Sequence, residues 1–596
     1  MPKTLPTKSS ENRPGHSNDA LSAYIDSHQR MDGHEPAPLV STAYTIAIDG
    51  GFADVTAERR FRNAESRSIE AMLTFPVPVQ GVLYGLEARI GERVLKGVAQ
   101  PRSAARETYE DALDRGKTTV LHEELIPGVH MLSVGHVPPG AEITVTARWA
   151  MSLAAAGGRA QLRIPLTVGD IYGTSPLQDV DDLQGDGSAQ MASLRVTARS
   201  GRILLHGKPM AAAEVQHPTD APIDLELVEA TFQTLDGRTA DGREVHMLIA
   251  PAPERDTPIE AAILVDHSGS MSSPASAEGP AASKHSAVLL GLAAAAGSLR
   301  QGDCIRLWEF DDTARDLGEA RDGEQLRALL TYLSPPAGGT EIGSALRAAV
   351  VRPTRDVILV TDGKSHALNV QELARTGCRF TVVLVGEDSL EANVGHLAAL
   401  TGGAILVALG ADVASAVTAA IACVRSAAAE RRAALPGIIP EEWVTLRSGM
   451  RIGTSWGKPR ADTRRSDAEH AVAAFAANLL LPGLTEKAAT ELAIAEGLVG
   501  HLTSLVLVDE AGITQEGLAA TRKVRLPAPR TAPARARAAP PSVGMRFALG
   551  LSPAMSHSIS PAEPPGLQIF AQTLWLDPCG SQGWSSTAGL QFTFRP

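Results

Sequence analysis

The chain has 596 residues, of which 44% are hydrophobic and 20% charged, and its formal net charge is −12. That length exceeds what one hydrophobic core sustains, so several domains are expected. The acidic balance excludes a general attraction to nucleic acid or to an anionic membrane surface, and four cysteines without a C-x-x-C pair exclude a disulfide framework or a zinc knuckle.

Residues 1–35 are polar and aperiodic, the composition of a disordered leader. They hold no apolar signal region, and no run of ~18 apolar residues occurs anywhere, so a cytoplasmic chain without a membrane span is expected. Over 36–155 the pattern alternates at period two in LVSTAYTIAI, ADVTAERRF, SIEAMLTFPV and AEITVTARWAMSL, which predicts an antiparallel β-sandwich-like domain. One helix interrupts it at 103–116, with Ala105, Tyr109, Ala112 and Leu113 on one face and Gly116 at its end. Residues 156–257 continue in β style, broken by DVDDLQGDG at 179–187, a solvated acidic turn without EF-hand spacing.

From 258 to 428 strand and helix patterns alternate: IEAAILV, CIRLWEF, RDVILVT, RFTVVLVG and AILVAL are apolar throughout, and helical runs separate them. Such strands predict a doubly wound, mainly parallel α/β domain covered on both faces. Residues 429–525 form a mixed segment with two helical runs and the strand TSLVLVDE. A Pro/Ala/Arg linker spans 526–545 and an unassigned tail spans 546–596, where LQIFAQTLWL and LQFTFRP could pair as strands.

The chemistry-bearing residues cluster where the α/β strands end. Alternate residues of an extended segment face the same way. DHSGS after AAILV therefore puts Asp266, Ser268 and Ser270 on one side. The strand RDVILVT delivers Asp362 at its carboxyl end, and GGT at 338–340 places Thr340 just before a helix. Every one of these groups is an oxygen donor. The set suits Mg²⁺, with Mn²⁺ or Ca²⁺ as alternatives, and argues against zinc or copper. Asp311 and Asp312 lie on the rim of the same strand ends.

D-x-S-x-S, a later G-G-T and a later T-D-G, in that order, resemble the metal-ion-dependent adhesion site of von Willebrand factor type A (VWA) domains. The resemblance covers about 258–428 and implies a metal role for Asp266, Ser268, Ser270, Thr340 and Asp362. Its implied function is non-enzymatic: an adaptor whose bound divalent cation coordinates an Asp or Glu of a partner protein. The alternative it allows is an accessory subunit of an AAA+ ATPase of chaperone or chelatase type. FPVPVQGVLYGLEARIGERVLKG (75–97), ARETYEDALDRG (105–116) and VGHVPPG (134–140) resemble the vault/inter-alpha-trypsin (VIT) domain, with His136 where that family usually has Asn. The two together resemble inter-alpha-trypsin inhibitor heavy chain-like proteins. A third function class, a serine hydrolase, has one weak signal: GTSWG at 453–457 matches G-x-S-x-G around Ser455 but lacks the helix that should follow. Neither a phosphate-binding G-x-x-x-x-G-K-[ST] loop nor an H-E-x-x-H zinc motif occurs.

Overall fold

The computed structural model describes residues 38–156, 159–168, 171, 190–275, 282–350, 354–364, 368–386, 389, 392–408, 413–426 and 441–524, with four short strands between 568 and 593. The acidic turn at 179–187, the 526–545 linker and the N-terminal 35 residues lie outside them. The chain divides into two compact units, Met1–Ala538 and Ala539–Pro596. In the second unit Gln568–Ala571 pairs antiparallel with Leu590–Thr593, and Leu574–Leu576 with Trp584–Ser586.

In the first unit, period-two burial builds the N-terminal sheets as expected. The strand Phe52–Arg62 buries Val55, Ala57, Arg59 and Phe61 and turns Glu58, Arg60 and Arg62 to solvent. It sits inside a seven-stranded sheet in the order Glu214–Pro218, Met191–Ala198, Leu39–Asp49, Phe52–Arg62, Glu142–Ser152, Val82–Ile90 and Arg93–Lys96. Not all of it is antiparallel. Leu39–Asp49 pairs parallel with Met191–Ala198, Ile46 lying opposite Val196. Hydrogen bonding therefore runs from the first 155 residues into the β-rich stretch after them.

A six-stranded sheet is completed from far along the chain. Its order is Ala520–Lys523, Ile69–Pro76, Val129–Val137, Thr119–Ile126, Thr503–Val508 and Val98–Pro101. TSLVLVDE thus fills the gap between two strands of the N-terminal region. The helix Arg102–Asp114 buries Ala105, Tyr109 and Ala112, as its periodicity predicts. The helix Asp467–Leu480 begins with a capping box between Ser466 and Glu469 and enters the main apolar core of the N-terminal sheets through Phe475 and Leu480. It comes so close to Thr234–Arg238 that a Cβ on Gly237 would lie 2.9 Å from the Ala473 amide nitrogen. Two strands absent from the sequence reading, Glu442–Arg447 and Met450–Trp456, pair with Glu244–Pro251 and Thr234–Arg238 in a four-stranded sheet.

The α/β domain has a six-stranded sheet ordered Ala314–Ala320, Cys304–Phe310, Glu260–Asp266, Asp356–Thr361, Arg379–Val385 and Ile405–Ala408. All neighbours are parallel except the edge strand Ala314–Ala320, which the sequence reading missed. Successive residues serve opposite faces: Ile263 and Val265 join one apolar core, and Ala262 and Leu264 the other. At its base, buried Asp303 accepts both guanidinium nitrogens of Arg425, at 3.0 and 2.6 Å, and the Ile259 amide at 3.0 Å. Glu260–Asp266 has the next strand in sequence on one side and a later one on the other. Ligands of doubly wound sheets sit beyond the carboxyl ends of strands at such a reversal, and the motif residues are found there.

Candidate functional site

Asp266 ends the central strand and is fully buried. Its Oδ1 accepts the Ser268 amide at 2.8 Å and its Oδ2 accepts the Thr361 hydroxyl at 2.6 Å. Burial pushes its carboxyl up to about 6; the hydrogen bonds from Ser268 and Thr361 oppose that rise, and the neighbouring Asp362 charge adds to it. The chain then turns into a short 3₁₀ helix, Gly269–Ser272, which brings the Ser268 and Ser270 hydroxyl oxygens to 3.2 Å from each other. Ser268 is buried and Ser270 half-buried.

Backbone hydrogen bonds tie the G-G-T loop to this turn. The Gly269 amide donates to Gly338 O at 3.1 Å and the Ala337 amide to His267 O at 2.8 Å. Gly338 holds a positive φ of 70° and abuts the carboxylates of Asp311 and Asp312. The Asp312 carboxylate accepts the Gly339 amide at 3.0 Å, and Asp311 O accepts the Glu341 amide at 2.8 Å. The two rim acids therefore anchor the loop. Buried Glu309 fixes its start, accepting the Ser334 amide at 2.7 Å and the Ser334 hydroxyl at 2.9 Å. Thr340 is half-buried, and its hydroxyl makes no hydrogen bond among the described residues.

Asp362, one residue past the strand Asp356–Thr361, is also fully buried. Its Oδ2 accepts from Lys284 Nζ at 3.0 Å and lies 3.6 Å from Lys364 Nζ; its Oδ1 accepts the Lys364 amide at 3.3 Å. The Lys284 side chain is completely buried. Asp266, Ser268, Ser270 and Asp362 thus cluster at adjacent strand ends, with the Thr340 loop hydrogen-bonded to them. Thr361, Lys284 and Glu309 were not singled out from the sequence. Only Thr361 left a signal there, a hydroxyl next to the acid at a strand's end.

The oxygen set suits a hard divalent cation. Neighbouring oxygens on an octahedral ion with bonds of about 2.0–2.1 Å lie about 2.8–3.0 Å apart, a few tenths of an ångström less than the 3.2 Å between Ser268 and Ser270. Among the described residues no group of three or more His, Cys, Asp or Glu could hold a metal. Ser455 is placed within the strand Met450–Trp456, opposite His246 and Glu442. The strand ends at Trp456 and no helix begins before Asp467, so Ser455 does not sit on a strand-to-helix elbow.

At the N-terminal domain, His136 has a φ of 49°. Its Nε2 donates to Leu113 O at 2.9 Å and its Nδ1 accepts the Ser68 hydroxyl at 3.1 Å. Asn, Asp and His are the side chains enriched in this left-handed backbone, so a histidine fits where Asn would.

Residues 39–148 match the family model of the Vault protein inter-alpha-trypsin (VIT) domain. Among curated proteins, the von Willebrand factor A domain-containing protein 5A of Rattus norvegicus is 32% identical over 121 residues, 20% of this chain and 15% of that protein. Protein mono-ADP-ribosyltransferase PARP4 of Mus musculus is 28% identical over 133 residues, 22% of this chain and 7% of that protein. The chain therefore spans only a small part of the length of these relatives. Among solved structures, a von Willebrand factor type A protein from Catenulispora acidiphila is 13% identical with a TM-score of 0.27, covering 39% of this chain and 65% of that one. The ArnB paralog VWA2 from Sulfolobus acidocaldarius is 14% identical with a TM-score of 0.26, covering 38% and 66%. The chain pairs a VIT domain with a VWA-like α/β domain, the latter resting on the sheet order and motif placement described above. No helix among the described residues is long and apolar enough to cross a membrane.

Proposed function

We propose that the chain is a non-enzymatic, cytoplasmic adaptor whose VWA-like domain docks a protein partner through one divalent cation. Asp266, Ser268, Ser270, Thr340 and Asp362 would hold that ion, Mg²⁺ in the first instance, with Mn²⁺ or Ca²⁺ also suited. The observation that carries the reading is the pair of serine hydroxyls at 3.2 Å beside two fully buried carboxylates. The hydroxyls are neutral ligands, and both Asp266 oxygens are already engaged by Ser268 and Thr361. An ion held this way keeps positive charge for an incoming Asp or Glu.

The test is titration calorimetry of the full chain with Mn²⁺ and Mg²⁺. Binding should be lost in Asp266→Ala and Ser268→Ala while both variants stay folded by circular dichroism. Unchanged metal affinity in both would falsify the reading. Affinity capture with and without EDTA, read by mass spectrometry, should then yield a partner retained only with metal. An AAA+ ATPase in that fraction would assign the accessory-subunit role.

A further inference from the structure

The buried partner of Asp362 is unusual in its placement. Lys284 is the first residue of the helix Lys284–Ala295, after the N-cap Ser283. A cation there faces the positive end of the helix dipole, and its complete burial adds the cost of leaving water. Both penalties call for a compensating anion, and Asp362 Oδ2 at 3.0 Å supplies it. The position is built. The Lys284 amide donates to Ser273 O at 2.9 Å, the Ala275 amide to Ala282 O at 3.1 Å, and Pro274 bridges to Ser283. Residues 273–275 thereby pair with 282–284, and Lys284 reaches the T-D-G acid. A second ammonium, Lys364, stands 3.6 Å from the same oxygen at the rim.

We propose that Lys284 is a tethered counter-cation, which holds Asp362 in the metal-free state and sets how tightly the site takes a divalent ion. The proposal rests on the cation-site reading above and adds its regulation. The buried pair of carboxylates carries two negative charges, and Lys284 cancels one of them permanently. It also occupies Oδ2 and leaves Oδ1, whose contact with the Lys364 amide at 3.3 Å is long, as the oxygen available toward an ion or its water. The site therefore keeps its shape without metal and binds metal weakly, as a reversible dock requires. Even at an effective dielectric of about 20, one unit charge a few ångströms from a divalent ion is worth at least a decade in affinity.

The experiment compares the full-length wild type with Lys284→Met, by calorimetric titration with Mn²⁺ and by thermal unfolding in EDTA. Lys284→Met should bind Mn²⁺ at least tenfold more tightly, unfold at a lower temperature in EDTA, and regain stability when Mn²⁺ is added. If Lys284→Met does not fold, Lys284→Gln carries the test, with a gain of at least threefold expected. Mn²⁺ binding by the wild type that is unchanged or weakened in the folded variant overturns the counter-cation role and leaves the cation site standing. Absence of Mn²⁺ binding in wild type and variant alike overturns both. Binding that appears only in the variant supports both.

Discussion

The Thr361 hydroxyl donates to Asp266 at 2.6 Å, so the last residue of one strand of the α/β sheet holds the last acid of its neighbour. Both residues are fully buried, and the bond orients the carboxylate that opens the D-x-S-x-S turn. Thr361→Val keeps the shape and removes the donor. A hydrogen bond to a charged group contributes about 1.5–3 kcal/mol, and chemical denaturation should show a loss of that size at neutral pH. An unchanged midpoint would show that the carboxylate does not need this partner.

Gly338 is the point where the G-G-T loop turns beside Asp311 and Asp312. With a φ of 70° and a would-be Cβ 3.0 Å from carboxylate oxygens of both acids, alanine is strained there on two counts. Gly338→Ala should cost about 1–2 kcal/mol of stability and weaken Mn²⁺ binding by displacing Thr340. Equal stability and equal binding would argue that the loop tolerates other turns.

The base of the α/β sheet offers a test away from the site. Asp303 and Arg425 are both buried and joined by two hydrogen bonds. Arg425→Met leaves the carboxylate without its counter-charge, and breaking such a pair costs about 3–5 kcal/mol. Asp303→Asn with Arg425→Met should recover part of that loss, as measured by a double-mutant cycle.

Two histidines of the VIT domain should make stability depend on pH. His122 and His130 are buried with ring centroids 5.4 Å apart. Burial holds His122 well below the usual imidazole range, with His130 and Arg59 adding to the effect, and burial with Arg59 pushes His130 down to about 3. In the unfolded chain both titrate near 6.5, so below that pH the unfolded state binds protons that the folded state refuses. Their contribution is complete above about pH 6.5 and is lost as pH falls. Between pH 7.5 and 5.5 each should remove roughly 1.4 kcal/mol. Comparing the wild type with His122→Phe/His130→Leu isolates this term from carboxyls raised by desolvation, such as buried Asp266 and half-buried Glu124, which work in the opposite direction. Parallel pH profiles for the two proteins would count against it.

The sequence made the α/β sheet legible wherever burial on both faces left continuous apolar runs, as in AAILV and DVILV. The edge strand ARDLGEA was not legible, because a strand covered on one side keeps charged residues and reads as loop. The site residues were legible through an ordered motif, whereas Lys284 was not. In AASKHSAV a lysine reads as the solvated start of a helix, and only the pairing of 273–275 with 282–284 turns it inward. Sheet partners across long stretches of chain were also out of reach. TSLVLVDE was recognisable as a strand, but nothing local in it names Val98–Pro101 and Thr119–Ile126 as its neighbours.

That insertion bears on how the molecule is made. Thr119 donates its hydroxyl to Leu507 O across 388 positions of sequence. At ribosomal rates of about 5–20 residues per second, the first strands wait roughly 20–80 seconds for the one that fills their gap. Until then the nascent sheet has two unsatisfied edges facing each other, a surface that invites mispairing or chaperone capture. Maturation of the first domain is thereby coupled to complete synthesis of the α/β domain that lies between the two ends of that sheet.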